Sequence, residues 1–514
     1  MNTEVFPPYK FTVNTSILAF TLLLGIGSLL YFPMVDNYYF ADELDPIIAS
    51  QLLHDRIQQG QGSILEIFRS DYIKIPERYN THFRPMGYLN AYLIYIIFGT
   101  SNVYLNILAV LAHLANITMV YLILKKLLQN DIWALLAALI FTVDGIGSDA
   151  VFFIGAAQLY YPESVPHYLC LLGFVYYIVD KKPVYIIVSY IGAAIALFGN
   201  EFAWQLLPTI LAISYFWEKQ KSWAFLFKSK FIPYYLFFTG YIILARACLV
   251  KRPTMETGGM QIYIDNRLSG KLLQATFVET GKIFHQVPVL KQILGGVPEF
   301  LLGMLLFAAV ILIIVISWVK IKDFRFRFLV LWFVFSMAIV LPIGILPRYL
   351  YHPAVPFWTM VIFAAAAFLT YLRNKKPDLS RVWRNIAIVL FAFLLVFHIT
   401  LNHQRENFWD RYGDFELSRV TKILREAGNP AVIKKLYFLN ESSVPGNVYR
   451  GNSRELSQHM MVYMDNPYIS WTIFEDHSLA DSLQLQPGDY LIGFNGRDFD
   501  VIRSGDVPAN PNAW

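Results

Sequence analysis

A few charged side chains stand where they could do chemistry. Asp42 and Glu43 follow a long apolar run, in "YFADELDPIIAS". A carboxylate at the mouth of a membrane cavity can act as a general base, with a pKa set by burial and neighbours. The plainer alternative is a solvated flank, which the aromatic "VDNYYF" before it makes less complete. Asp45 precedes Pro46 and is expected to cap a helix. Arg84 stands directly before Pro85 in "YNTHFRPMGYLN", beside His82. Its planar fork could pair with a phosphate, or it could snorkel to lipid headgroups. Arg348, in "ILPRYLYHPAVPFW", has Tyr349 and His352 alongside. A phosphate, a headgroup or an ion pair would each account for it.

Three more acids interrupt apolar sequence. Asp149 begins an apolar segment, where a first-turn acid also favours the helix dipole. Glu163 follows Pro162 inside an apolar run. An ionisable group in a membrane segment is a functional candidate by default. Glu201 follows Asn200 at a polar break, which also reads as a tight turn between two spans. Asp149, Glu163, Glu201, His82, Tyr349 and His352 are therefore candidates for lining a cavity or meeting an acceptor. Histidines elsewhere, His113 and His167 among them, show no HExxH or comparable pairing. No metal site is expected from spacing, and a divalent metal has no ligand motif to support it. Walker, GxSxG and glycine-rich phosphate loops are absent, so neither nucleotide nor nucleic-acid binding is indicated.

The elements that must position these residues are membrane helices. The 514 residues are 56% hydrophobic and 15% charged, against about 25% charged in an ordinary soluble domain. Mean hydropathy is +0.45. The two cysteines, Cys170 and Cys248, sit in apolar runs and suggest no disulfide framework. Spans of roughly 20 apolar residues are expected at 12–34, 102–127, 131–145, 149–179, 184–200, 202–217, 229–249, 298–318, 327–346, 349–372 and 385–402. Pro162 is expected to break the 149–179 segment. The segment Met86–Phe98 is expected to lie at the interface, as is a helix in "DPIIASQLLHDRIQQG". Lys and Arg concentrate in alternate loops, from Lys125–Lys126 to Arg373–Arg384, which places those loops and the N-terminus in the cytoplasm.

The expected architecture is mainly α, a polytopic membrane protein of about 11–13 helices in the inner or plasma membrane. Residues 1–402 form its transmembrane domain, with outer loops at 35–101 and 250–297. Residues 403–514 form a small extracytoplasmic α/β domain, with strands at "KLYFLN", "ISWTIF" and "DYLIGF" and an amphipathic helix ending at Gly428.

Taken in order, the segments resemble the GT-C superfamily of membrane glycosyltransferases, in its protein O-mannosyltransferase and aminoarabinose transferase-like branch. The resemblance rests on Asp42–Glu43 after the first span and on "HFRPMGYLNAYLIYIIFG". It continues through "VLAHLAN" with His113, "GSDAVFFIGAA", "GNEFAWQLLP" and "RYLYHP". It covers roughly residues 30–370. It departs at Gly147-Ser148-Asp149, where a His is missing, and at Asn200-Glu201, where a Lys is missing. What the resemblance implies is a GT-C-like fold and a polyprenyl-phosphate-linked sugar donor. The acceptor would be a lipid, glycan or protein hydroxyl at the outer face, attacking with inversion. Asp42 would be the base, Glu43 its partner, and Arg84 with Arg348 would hold the donor phosphate. A transporter or flippase of lipid-linked glycans is the rival class. No internal repeat supports it, and the candidate charges cluster on one side. A catalytically lapsed scaffold is the third.

Overall fold

The computed structural model describes residues 9–38, 44–68, 74–75, 78–79, 83–152, 154–219, 222–248, 278, 296–340, 347–427, 433–440, 456–464, 468–474, 483–494 and 499–504. The expected outer loop at 250–297 lies almost entirely outside them. The chain is mainly helical and divides into two compact units. Unit 1 is Met1–Pro33, Leu108–Phe152 and Leu159–Glu406; unit 2 is Met34–Ile107, Phe153–Gln158 and Asn407–Trp514.

Most of the expected spans fold as helices close to their predicted limits, because long apolar runs satisfy their backbone only within a helix once water is excluded. They are α1 (Val13–Tyr31), α4 (Asn102–Leu128), α5 (Asp131–Val143), α7 (Ile154–Asp180), α8 (Pro183–Gly199), α9 (Leu206–Trp217) and α10 (Ile232–Cys248). The later ones are Glu299–Lys320, Phe324–Val340, Tyr351–Lys375 and Pro377–Ala427, here α11 to α14. Among the described residues, six helices are long and apolar enough to cross a membrane, and three shorter apolar helices accompany them. One of these is α3 (Pro85–Phe98), whose 14 residues reach about 21 Å at 1.5 Å each, short of a bilayer core. The protein is a multi-pass membrane protein.

Two boundaries differ from expectation. Helix α7 runs through Pro162 and Pro166 without a break. Each proline only frees the carbonyl four residues earlier, and neighbouring helices in a membrane tolerate this. Helix α14 continues past the apolar run and is 51 residues long in all. Its polar half, "HQRENFWDRYGDFELSRVTKILREA", holds good helix formers and no proline.

One end of unit 1 is tied by ion pairs. Lys126 meets Asp180 at 2.9 Å, and Lys230 meets Glu218 at 2.7 Å. Arg325 pairs with Asp323 and donates to the Leu128 carbonyl at 2.9 Å, closing the C-terminus of α4.

In unit 2, α2 (Leu44–Gln58) is buried on all sides over its first two turns, from Leu44 to Gln51. It is a packed helix there rather than one lying along an interface. A four-stranded sheet has the order β4-β3-β5-β6, with β3 Lys435–Asn440, β4 Ser470–Phe474, β5 Asp489–Phe494 and β6 Phe499–Ser504. Two-residue strands β1 (Lys74–Ile75) and β2 (Arg78–Tyr79) pair earlier in the chain. Strand β3 is parallel to β4 and β5, and β6 is antiparallel to β5. Tyr437, Leu439 and Leu491 cover one face with Leu483 and Leu485.

Candidate active site

The polar interior of unit 1 is built where α7 meets the start of α13. Glu163 and His167 are four residues apart and share a face of α7. Nδ1 of His167 lies 3.0 Å from Oε1 of Glu163. Nε2 of His352, one residue into α13, lies 2.8 Å from the other oxygen, Oε2. The two imidazole rings are 4.4 Å apart. Glu163 is 0% exposed, His167 1% and His352 3%. Among the described residues these three are the one group whose donor atoms all lie within 4.8 Å of one another, close enough to hold a metal ion.

The preceding residue, Tyr351, the first of α13, builds a second cluster. Asn116 donates to Ser164 at 3.0 Å and to the Tyr351 hydroxyl at 3.1 Å. Tyr351 Oη lies 2.8 Å from His113 Nδ1. Asn116 engages one lone pair of the hydroxyl, and the imidazole tautomer sets which of Tyr351 Oη and His113 Nδ1 donates. Tyr31 packs edge-on against His113 at 4.5 Å.

Glycines let the backbones close in. A Cβ on Gly199 would fall 2.8 Å from the Pro162 carbonyl, the one that Pro166 leaves unbonded. On Gly147 it would fall 3.1 Å from Tyr351 Cα. Asp144 fixes that turn: its carboxylate accepts from Gly147 N at 2.9 Å and from Trp358 Nε1 at 3.3 Å. His398 stands 3.5 Å from the same carboxylate and accepts from Gly145 N.

Of the expected residues, Glu163 and His352 are in direct contact. Tyr349 packs against Phe202 at 5.3 Å, and Phe202 lies 6.4 Å from His352. Glu201 begins the short 3-10 helix Glu201–Gln205, capped by Asn200 Oδ1. Arg348 is half-buried with its guanidinium 5.3 Å from the Tyr349 ring. Asp149 opens the four-residue α6 (Asp149–Phe152), and its side chain lies outside the described part. Asp42, Glu43 and His82 lie outside the described residues.

Arg84 belongs to unit 2, half-buried at the N-cap of α3 with Pro85 at the first helical position. The chain on either side of residues 39–43 is anchored within that unit. Asn106 donates to the carbonyls of Val35 and Asn37 at 3.0 Å each. Tyr38 stacks on His459 at 5.7 Å. Asp45 lies inside the first turn of α2 and accepts from Gln458, so it is a buried bonded carboxylate and not a helix cap.

His167, Tyr351, Asn116 and Asp144 were not singled out by spacing. A Glu and a His four apart in an apolar run, in "PESVPH", is the signal that points to His167. The remaining contacts join distant segments, Glu163 and His352 being 189 residues apart.

No family model and no curated protein matches the chain. Among solved structures it is similar to ArnT from Cupriavidus metallidurans bound to undecaprenyl phosphate. Identity is 11%, over 94% of this chain and 93% of that one, with a TM-score of 0.45. It is also similar to the Archaeoglobus fulgidus oligosaccharyltransferase in the apo form. Identity is 15%, over 77% of this chain and 56% of that one, with a TM-score of 0.45.

Proposed function

We propose that the protein is a membrane glycosyltransferase that moves a sugar from a polyprenyl-phosphate donor to an acceptor hydroxyl at the outer face. The observation that carries this reading is the convergence of sequence segments in unit 1. "VLAHLAN", the "DGIGSDA" turn, "YYPES", "GNEFAW" and "RYLYHP" are far apart in the chain. Yet they meet through His113–Tyr351, Gly147–Tyr351, Gly199–Pro162, Glu163–His352 and Phe202–Tyr349.

In the proposed reaction the acceptor oxygen attacks the anomeric carbon and the bond from that carbon to the phosphate oxygen breaks. A single displacement inverts the anomeric centre. The acceptor proton passes to the Asp42 carboxylate, with Glu43 beside it in sequence to tune its basicity. Arg84 and Arg348 neutralise the charge that grows on the departing polyprenyl phosphate, the role that cationic clamps fill at developing oxyanions. The concentration of Lys and Arg in alternate loops, Lys126, Lys230 and Arg325 among them, supports a cytoplasmic position for those loops. The same rule supports an extracytoplasmic C-terminal domain.

The test is a transfer assay on full-length protein in lipid nanodiscs, with radiolabelled polyprenyl-phosphate sugars and candidate lipid, glycan and protein acceptors. Arg84→Ala and Arg348→Ala are each expected to raise the donor KM about 10-fold or more, the scale of one lost charge-assisted hydrogen bond. Donor affinity unchanged in both variants would remove the two arginines from the phosphate site.

A further inference from the structure

We propose that Glu163, His167 and His352 form a binding site for a divalent cation of the zinc type, with one coordination position left for an oxygen ligand. The proposal rests on these three side chains and not on the transferase reading.

The donor set fits. Two imidazoles and one carboxylate are the ligands of three-ligand zinc sites, whereas calcium and magnesium take oxygen almost throughout. The spacing fits as well. Ligand atoms about 2.1 Å from a tetrahedral ion stand about 3.4 Å from one another. Nδ1 of His167 and Nε2 of His352 are 3.0 and 2.8 Å from the two carboxylate oxygens, and all the donor atoms lie within 4.8 Å. Closing a separation of 4.8 Å to about 3.4 Å takes a movement of about 0.7 Å from each atom, which would seat the ion.

Charge gives the reason. Glu163 is wholly buried in a helix of membrane-spanning length, and its ion-pair partners among the described residues are the two histidines. With both imidazoles neutral, the cluster would bury a bare negative charge, which is costly at membrane depth. A dication cancels it, and the remaining positive charge draws a hydroxide or another anionic oxygen to the open position. The frame is also rigid: Glu163 and His167 share one helix, Gly199 brings the end of α8 against Glu163, and Tyr168 packs 5.4 Å from His352. Asp144 and His398 make a useful contrast. They supply two donors 3.5 Å apart, and the Asp144 oxygens are already engaged by backbone N–H groups and Trp358.

The test uses full-length protein purified in detergent through a tag that contains no histidine. After equilibration with zinc and removal of free metal, mass spectrometry is expected to find about one zinc per chain. Cobalt in its place is expected to give the visible d–d bands of a tetrahedral site. Glu163→Gln and His352→Gln should each lower retained zinc at least tenfold. His113→Gln, in the neighbouring hydrogen-bonded cluster, should retain it. Monodisperse wild-type protein that holds no zinc and gives no cobalt bands would overturn the proposal, whatever the variants do. Zinc held equally by folded Glu163→Gln and His352→Gln protein would overturn it too, by placing the metal elsewhere.

Discussion

The last residue of α8 lies against the backbone of the buried acid. A Cβ on Gly199 would stand 3.1 Å from Glu163 Cα and 2.8 Å from the Pro162 carbonyl. Only hydrogen fits there, so this contact sets how closely α8 can approach α7. It also positions Asn200, and the 3-10 turn that carries Glu201, beside the Glu163 cluster.

Gly199→Ala should therefore destabilise the protein by about 1–3 kcal/mol, the cost of forcing a methyl into packed backbone. Around Gly240 in α10 no described residue comes within 4 Å of where a Cβ would stand, and Gly240→Ala should be neutral or stabilising by up to about 1 kcal/mol. Thermal unfolding in detergent separates the two. Equal midpoints would mean that the α7–α8 contact is looser than described.

Glu218 gives a pH signature at the other end of unit 1. It closes α9, ion-paired to Lys230 at 2.7 Å and to Lys228 at 3.4 Å, and Ser214 donates to it at 2.8 Å. Burial works against its ionisation, but the Lys230 and Ser214 hydrogen bonds and the lysine charges outweigh it and hold the carboxyl at about 2, below its usual 4.5. A depressed acid stabilises the fold above its unfolded pKa, and that stability fades as pH falls towards the folded value. Glu218→Gln should lower the unfolding midpoint at neutral pH, and the gap to wild type should close between pH 4.5 and about 2. A gap that persists at the acid end would point to lost packing rather than lost charge.

His459 should act in the same direction from unit 2. Both its ring nitrogens are buried with no hydrogen-bond partner among the described residues. Burial first, and the Arg419 charge second, push the imidazole from 6.5 down to about 3. The unfolded chain thus takes up the proton first, and stability present above pH 6.5 is lost as pH falls towards 3. At about pH 5 the loss amounts to about 2 kcal/mol. His459→Phe keeps a ring on Tyr38 and removes the titration, so it should flatten the acid side of the stability curve. An unchanged slope between pH 7 and 5 would contradict this account.

The helices were legible because long apolar runs have few other outcomes in a bilayer. The limits that sequence missed have physical causes. Pro162 reads as a break, but the next proline's orphan carbonyl is accommodated beside Gly199. Residues 403–427 read as a new element, yet the one glycine in that helical stretch, Gly413, sits where a Cβ would meet the Tyr38 carbonyl at 2.9 Å. Strand β6, "FDVIRS", mixes charge with apolar residues and gains its place only by pairing with β5. At the site, Glu163 stood out as an acid in apolar sequence. His167 and Tyr351 did not, because their meaning lies in contacts between α4, α7 and α13 that no local spacing records.

The central claim is that this chain transfers sugar with Asp42 as its base. The most direct measurement compares wild type and Asp42→Asn in single-turnover transfer from a radiolabelled polyprenyl-phosphate sugar, with donor binding measured on the same samples. The account predicts that Asp42→Asn folds and binds donor as wild type does, while transfer falls by about 100-fold or more, the scale of general-base catalysis. Transfer at the wild-type rate by folded Asp42→Asn protein would contradict it.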